Sequence, residues 1–238
     1  MKRMKVTKQN LLFFLPILIT AVAVTVAAIV CKQKFLRFFP LYNSLIVGAL
    51  QAKASRYCYL IGGFNALLYI ITYASLGLYG NIAGCVFSSL LQLTTFFMWN
   101  RRKYEHSTTF KKLSPQGRWI TLFLLIASSA LTLFVLDKLN SSYQILDTLT
   151  TIFSTALGIL TLLCLIEHTW LFFPYGILNI LLNYATLASH PEQMTHFIFS
   201  LYSFYCMIPG FFSVRKIYRE QQALKKEPPA LAGNEKSA

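Results

Sequence analysis

The chain has 238 residues, of which 55% are hydrophobic and 15% aromatic, while only 13% carry a charge. A soluble domain carries roughly 25% charged residues, so this composition excludes a soluble globular enzyme as the starting hypothesis. Several uncharged runs approach the ~20 residues that cross a hydrocarbon core. The formal net charge of +14 is therefore expected beside membrane helices and not on a face that binds nucleic acid. The sequence predicts an all-α membrane protein, a polytopic helical bundle.

Stretches without Glu, Lys or Arg, and without Asp except for Asp147, mark the predicted membrane helices in chain order. The first stretch, 11–31, is too long for the apolar core of a signal peptide, and we expect it to be a retained extra helix. The third stretch, 57–100, is too long for one span, and the turn-forming residues Gly77, Gly80 and Asn81 divide it into two helices. Eight helices are therefore predicted, from the stretches 11–31, 38–52, 57–100, 119–136, 139–166, 168–191 and 193–214.

An internal repeat predicts how these helices are arranged. A shift of 114 residues superposes Gly62 on Gly176 and Asn65 on Asn179. Each unit then holds three helices, and a single linking helix returns the chain to the same side, so both units cross the membrane in the same direction. Such a parallel repeat is typical of transporters that bind substrate between their halves.

The predicted organisation is one N-terminal helix plus a 3+1+3 parallel-repeat transporter core. Its parts are a basic N-terminus with an extra transmembrane helix at 1–37, a first three-helix repeat at 38–104, a linker helix at 105–144, a second three-helix repeat at 145–218 and a disordered cytoplasmic tail at 219–238.

Charge asymmetry predicts the orientation in the membrane. With the first ten residues in the cytoplasm, 18 of the 22 Lys and Arg residues fall on the cytoplasmic side. Both termini are therefore expected in the cytoplasm. Trp99, Trp119 and Trp170 each lie at a predicted inner helix end, where they are expected to act as interfacial anchors.

Polar and aromatic side chains within the predicted helices are candidates for substrate binding. An amide in hydrocarbon needs partners, so it should face the bundle interior or an aqueous cavity. Helix-to-helix hydrogen bonding is the alternative use of such amides. Amides combined with aromatic planes suit a flat heteroaromatic ligand that carries hydroxyls and suit a metal ion poorly. The predicted substrate-binding residues are Asn65, Tyr69, Gln92, Phe96, Phe172, Tyr175, Asn179, Asn183 and Tyr202.

The sequence contains no recognisable catalytic or cofactor motif. The four His residues show no metal-ligand spacing, and no nucleophile elbow or glycine-rich nucleotide loop is present. We therefore predict no enzymatic activity, no metal and no cofactor. Asp147, near an outer helix end, and Glu167, at an inner helix end, are acidic residues at the membrane. Either could couple transport to protons or be solvated at the interface.

The chain resembles the PnuC family of bacterial vitamin-precursor transporters. The resemblance covers residues 38–220 and is carried by Asn65, Leu78, Tyr79 and Trp99 in the first half and by Asn179 within PYGILNILLN in the second. It implies a three-plus-one-plus-three arrangement similar to the SWEET carriers, with an extra N-terminal helix in some members. It further implies uptake of nicotinamide riboside by facilitated diffusion, and trapping of the substrate by a cytoplasmic kinase.

Two positions of one family pattern differ in this chain. Members that carry nicotinamide riboside show a WxxWxxxN pattern, and this chain has Phe172, Tyr175 and Asn179 at those positions. Aromatic stacking is retained, while thiamine, riboflavin or another nucleoside become alternative substrates. A scaffold or sensor without transport activity is a further alternative. The resemblance also implies the bacterial inner membrane, with the lipid bilayer as surroundings, and a homo-oligomer is left open.

Overall fold

The structure is a computed structural model, and it describes residues 8–74, 79–138 and 144–226. These residues form eight long α-helices, one short 3-10 helix and one two-stranded antiparallel hairpin. In chain order the elements are α1 (Lys8–Val30), α2 (Phe35–Ala52), α3 (Tyr57–Ala74), α4 (Tyr79–Arg101), β1 (Lys103–Tyr104), β2 (Ser107–Thr108), α5 (Pro115–Lys138), α6 (Gln144–Leu162), α7 (His168–Ser189), the 3-10 helix Pro191–Gln193 and α8 (Met194–Lys226).

The predicted all-α bundle of eight helices is confirmed. The long uncharged stretch 57–100 is divided between α3 and α4, with Gly80 and Asn81 in the first turn of α4 and Gly77 outside the described residues. By length and composition, two described helices can cross a membrane, His168–Ser189 and Met194–Lys225. Shorter apolar helical stretches occur at Phe14–Val30, Phe38–Ala52, Tyr57–Ile70 and Thr148–Leu162.

Six of the helices pack in a closed ring. The order around the ring is α2, α3, α4, α6, α7 and α8. Each helix contacts the next, and α8 contacts α2. Outside the ring, α1 packs against α2 and α8, and α5 packs against α6. The predicted repeat has two units, helices α2, α3 and α4 and helices α6, α7 and α8. Each unit therefore occupies one half of the ring. The parallel repeat itself stays a prediction.

The outward surface of the bundle is apolar. On α5 the side chains of Phe123 and Phe134 are 70% and 64% exposed, and on α8 that of Phe212 is 63% exposed. In water, contiguous apolar exposure of this kind would be strongly unfavourable, whereas it suits a surface surrounded by lipid.

The connection from α4 to α5 folds back across one end of the ring. This α4–α5 segment (residues 102–114) contains the hairpin and is bound to two helix turns. The backbone N–H of Arg56, in the α2–α3 turn, donates to the carbonyl of His106 at 3.0 Å. In the α6–α7 turn, the Cys164 carbonyl accepts from the N–H of Lys111 at 2.8 Å. The segment therefore joins both halves of the ring at this end.

A buried aromatic cluster lies beneath the α4–α5 segment, and it corrects one prediction about tryptophan. Trp99 is only 1% exposed and packs edge-on against Tyr59 and Phe110, with ring centroids 4.8 and 5.4 Å away. Trp99 is therefore part of the core and not an interfacial anchor. Trp119 and Trp170 are 72% and 59% exposed, as expected of side chains at an interface.

Helix α8 is longer than the sequence suggested. The sequence predicts a disordered tail from residue 219, whereas α8 continues to Lys226, and residues 227–238 lie outside the described residues. The reason is Gln221, whose buried amide forms two hydrogen bonds with the α4–α5 segment. Its oxygen accepts from the N–H of Phe110, and its nitrogen donates to the carbonyl of Thr108. These tertiary hydrogen bonds stabilise two further helical turns that the polar composition did not predict.

Candidate functional site

A cavity of about 450 Å³ lies inside the ring, and all six ring helices contribute to its wall. None of the described residues that line it carries a charge. Its volume lies within the roughly 300–1,000 Å³ range of small-molecule sites. Aromatic and amide groups on the wall are Gln51, Tyr59, Phe87, Gln92, Phe172 and Tyr175, and the hydroxyl groups are those of Ser88, Thr95, Thr151, Ser154, Thr155, Thr161 and Ser203.

Three of the predicted site residues line this cavity, namely Gln92, Phe172 and Tyr175. Phe172 and Tyr175 are three residues apart on α7, so they lie on one face of that helix. Gln92 lies across the ring on α4, where its Nε2 donates to the hydroxyl of Ser88 at 3.1 Å. The structure thus brings two aromatic rings and one amide to a common interior space.

The position of Gln92 depends on a glycine in the neighbouring helix. A Cβ atom placed on Gly62 of α3 would collide with Oε1 of Gln92. Only a residue without a side chain allows the amide to lie against the α3 backbone at this point. Gly62 therefore acts here as a packing residue that admits Gln92.

Asn65, predicted to bind substrate, lies in the contact between α3 and α2 and does not line the cavity. Its Nδ2 donates to Ser44 Oγ at 2.8 Å. Its Oδ1 is buried and has no hydrogen-bond partner among the described residues. The donor side of the amide therefore joins two helices, and the acceptor side is left unused there.

Asn179 and Asn183 lie further along α7 than the cavity. Asn183 Nδ2 donates to both the backbone carbonyl and Oδ1 of Asn179, at 2.8 and 3.1 Å. The two amides thus pair with each other along one helix face. At ~1.5 Å per residue, Asn179 lies about 10 Å along α7 from Phe172, and Asn183 about 16 Å.

The remaining predicted residues also lie off the cavity wall. Tyr202 is buried and donates from its hydroxyl to the carbonyl of Leu45 at 2.8 Å, which joins α8 to α2. Phe96 packs against the ring of Tyr57, with centroids 6.0 Å apart. Tyr69 is half-buried on α3, two turns beyond Gly62.

Sequence reasoning missed a row of hydroxyl groups on α6. The spacing of these residues by three and four places them on one helix face, which is the pattern of a side that faces an interior. Gly158 on the same face allows Leu91 of α4 to approach closely, since a Cβ there would lie 2.7 Å from Leu91 Cδ2. The hydroxyl groups are those of Thr151, Ser154, Thr155 and Thr161, and Gly158 lies between them on the same face.

Aromatic contacts connect the cavity wall to the end of the ring. Phe172 contacts the ring of His168 at 5.5 Å, His168 contacts Phe110 at 5.9 Å, and Phe110 contacts Trp99. Because Phe110 belongs to the α4–α5 segment, the segment and the cavity wall share one continuous packed cluster. Movement of either is expected to disturb the other.

The family described as nicotinamide mononucleotide transporter matches residues 34–214, which is well over half of the chain. A solved structure described as the crystal structure of the vitamin B3 transporter PnuC is similar, with a TM-score of 0.70 and 17% sequence identity. That match covers 86% of this chain and 90% of the other, and at this identity it establishes the fold. No curated protein sequence matches the chain.

The family and the solved structure are both described as transporters, in agreement with the prediction that the chain is not an enzyme. The family match, the shared helical fold and the apolar helices lead to one conclusion. The chain belongs to the nicotinamide mononucleotide transporter (PnuC) family and is a multi-pass membrane protein.

Proposed function

We propose that this protein carries nicotinamide riboside across the membrane by facilitated diffusion, with the cavity inside the helix ring as its substrate site. The observation that carries the proposal is the chemistry of the wall, where aromatic rings, amides and hydroxyls are present and the described lining residues bear no charge. The aromatic rings suit the pyridinium ring of the substrate, and the amides and hydroxyls suit its carboxamide and ribose.

The uncharged wall favours the riboside over its phosphorylated form. A phosphate ester carries nearly two negative charges at neutral pH, and its transfer to a site without cations is strongly unfavourable. The single positive charge of the nicotinamide ring, in contrast, is stabilised by nearby aromatic faces. Phe172 and Tyr175 on α7 are the rings that we assign to this contact.

Transport by alternating access is part of the proposal. The two groups of three helices would rock about the cavity and expose it to each side of the membrane in turn. Asn65, Asn179 and Asn183 would contact the ribose or carboxamide in another state of the cycle, since none of them lines the cavity here. Tyr69, Phe96 and Tyr202 would support the site by packing.

The proposed orientation places both termini in the cytoplasm of a bacterial cell, with the chain in the inner membrane. The charge rule assigns the α2–α3 turn, the α4–α5 segment and the α6–α7 turn to the cytoplasm, and at one end of the bundle the segment is hydrogen-bonded to both turns. This common position supports the orientation. A cytoplasmic kinase would then phosphorylate the imported substrate and retain it in the cell.

Uptake by the full-length protein in liposomes tests the proposal. Labelled nicotinamide riboside should enter saturably, and excess unlabelled riboside should compete while nicotinamide mononucleotide should not. Transport of thiamine or riboflavin in its place would keep the carrier and reject the substrate. Flux no greater than in protein-free liposomes for any of these compounds would favour a scaffold or sensor instead.

A further inference from the structure

A second cavity, of about 430 Å³, lies on the outside of the helix ring at the end covered by the α4–α5 segment. Its wall is formed by the end of that segment, the start of α5, the α6–α7 turn with the start of α7, and a late turn of α8. None of its described lining residues also lines the cavity inside the ring. The charged and aromatic residues on its wall are Lys112, Arg118, Glu167, Trp170, Arg215, Tyr218 and Arg219.

Positive charge in this outer cavity exceeds negative charge by a wide margin. Among the described residues on the wall, Glu167 is the only acidic one, and its carboxylate already has hydrogen-bond partners. It accepts from Arg118 at 3.2 Å and from the backbone N–H of Leu113 at 3.1 Å. Among the described residues, Lys112, Arg215 and Arg219 of this cavity form no ion pair within 4 Å.

Aromatic stacking holds the guanidinium of Arg215 in place, but the described residues do not fill its hydrogen-bonding capacity. The guanidinium lies over the rings of Trp170 and Phe211, at 4.3 and 4.5 Å from the ring centroids. Stacking on two rings restricts the guanidinium plane and leaves its N–H groups available to an acceptor. The Nε atom is buried and has no hydrogen-bond partner among the described residues. A planar donor group fixed in this way matches the oxygens of a phosphate.

The surroundings of the outer cavity favour a lipid over a soluble anion. Trp170 on its wall is 59% exposed, as is typical of tryptophan at a membrane interface. Exposed apolar side chains also lead away from it along α8 at helical spacing and end one turn before Arg215. This stripe consists of Leu201, Tyr205, Ile208 and Phe212.

A groove of about 550 Å³ on α8 connects the apolar stripe with the basic groups. Phe211 and Phe212 line it together with Arg215, Arg219 and the ion pair of Lys216 with Glu220 at 4.0 Å. The two arginines also belong to the outer cavity. An acyl chain on the stripe would therefore place its phosphate beside both guanidinium groups.

We propose that the outer cavity binds the phosphate head group of an anionic phospholipid, with Lys112, Arg215 and Arg219 as its cationic contacts and Trp170 at the level of the glycerol backbone. Basic pockets at the membrane boundary bind such head groups because unpaired Lys and Arg attract the surface charge of anionic lipid. The head group would lie against the α4–α5 segment through Lys112. Binding would thus stabilise the segment that covers this end of the ring.

Lipid retention by the full-length protein tests the proposal. Protein in neutral detergent is titrated with dioleoylphosphatidylglycerol, dioleoylphosphatidylcholine or soluble glycerol phosphate. Bound lipid is counted by native mass spectrometry, and thermal stability is recorded in parallel. We expect retention of phosphatidylglycerol and a higher Tm, with little effect of phosphatidylcholine or glycerol phosphate. Equal stabilisation by glycerol phosphate, or equal retention of phosphatidylcholine, would overturn the assignment to an anionic lipid.

Charge-removing variants locate the site. Lys112→Gln with Arg219→Gln removes two exposed cations from the wall and should weaken phosphatidylglycerol binding roughly 10- to 30-fold. The matched control, Arg101→Gln with Lys103→Gln, removes two exposed cations elsewhere at the same end and should leave binding unchanged. Arg215→Lys keeps the charge and loses the planar stacked donor, and it should weaken binding on its own. Equal losses in the control and the double variant would overturn the placement.

Discussion

The indole Nε1 of Trp99 donates to the backbone carbonyl of Thr161 at 2.8 Å, and so connects α4 to α6 at the point where the two halves of the ring meet. Thr161 also lines the interior cavity. The contact therefore joins the buried aromatic cluster at the end of the ring to the wall of the proposed substrate site.

Trp99→Phe should destabilise the protein. The substitution removes the donor to Thr161 and part of a fully buried ring, with an expected loss of about 1–3 kcal/mol. The midpoint of thermal unfolding in detergent should fall by roughly 2–4 °C per kcal/mol. Trp119→Phe is the matched control, because the Trp119 side chain is 72% exposed and its replacement should leave the midpoint unchanged. Equal midpoints for both variants would show that the contact contributes nothing to stability.

Tyr175→Leu should weaken substrate binding and leave the fold intact. Loss of one aromatic plane from the cavity wall is expected to raise the KM for nicotinamide riboside uptake roughly three- to tenfold. Tyr184→Leu changes the same residue type on the same helix, where the side chain is 61% exposed on the outside. A KM that moves equally in both variants would argue against a role of the Tyr175 ring in the site.

Gly62→Ala should act on transport through Gln92. The new methyl group collides with Oε1 of Gln92 and forces the amide to leave its position on the cavity wall. We expect a several-fold rise in KM, and little further effect of Gly62→Ala when Gln92→Ala is already present. The four proteins of this double-mutant cycle measure the coupling directly. Additive effects of the two substitutions would mean that Gly62 acts independently of the amide.

Gln221→Met should loosen the α4–α5 segment. Gln221 Oε1 accepts from the N–H of Phe110 at 3.0 Å, and Nε2 donates to the carbonyl of Thr108 at 2.8 Å. Loss of both bonds leaves buried backbone groups without partners, at an expected cost of about 1–3 kcal/mol for each. Limited trypsin cleavage after Lys111 and Lys112 should accelerate in this variant and not in the neighbouring control Gln222→Met. Unchanged cleavage would show that the segment is held by other contacts.

The position of the helices followed from the sequence because uncharged length alone marks a membrane helix. The level of the cavity along the helices could not be predicted from the sequence. Phe172 and Asn179 share a face of α7, so helical periodicity groups them, yet only Phe172 reaches the cavity wall. Which turn of a helix borders an interior space is decided by packing between helices, and one sequence does not contain that information.

The same limit explains the other differences. Thr151, Ser154, Thr155 and Thr161 form a stripe of hydroxyl groups at helical spacing on α6. This pattern is visible in the sequence, but amides and aromatic residues are the more conspicuous candidates for a binding site. The burial of Trp99 and the extension of α8 past residue 219 both depend on the α4–α5 segment, which contacts residues far away in sequence. Contacts of this kind leave no local pattern.

The most direct measurement of the central claim is calorimetric binding of nicotinamide riboside and nicotinamide mononucleotide to the purified full-length protein under identical conditions. A site whose described wall carries no charge should bind the riboside at least tenfold more tightly than the mononucleotide, because the phosphate finds no cation there. Equal or tighter binding of the mononucleotide would contradict the assignment of the interior cavity as the site of an unphosphorylated substrate.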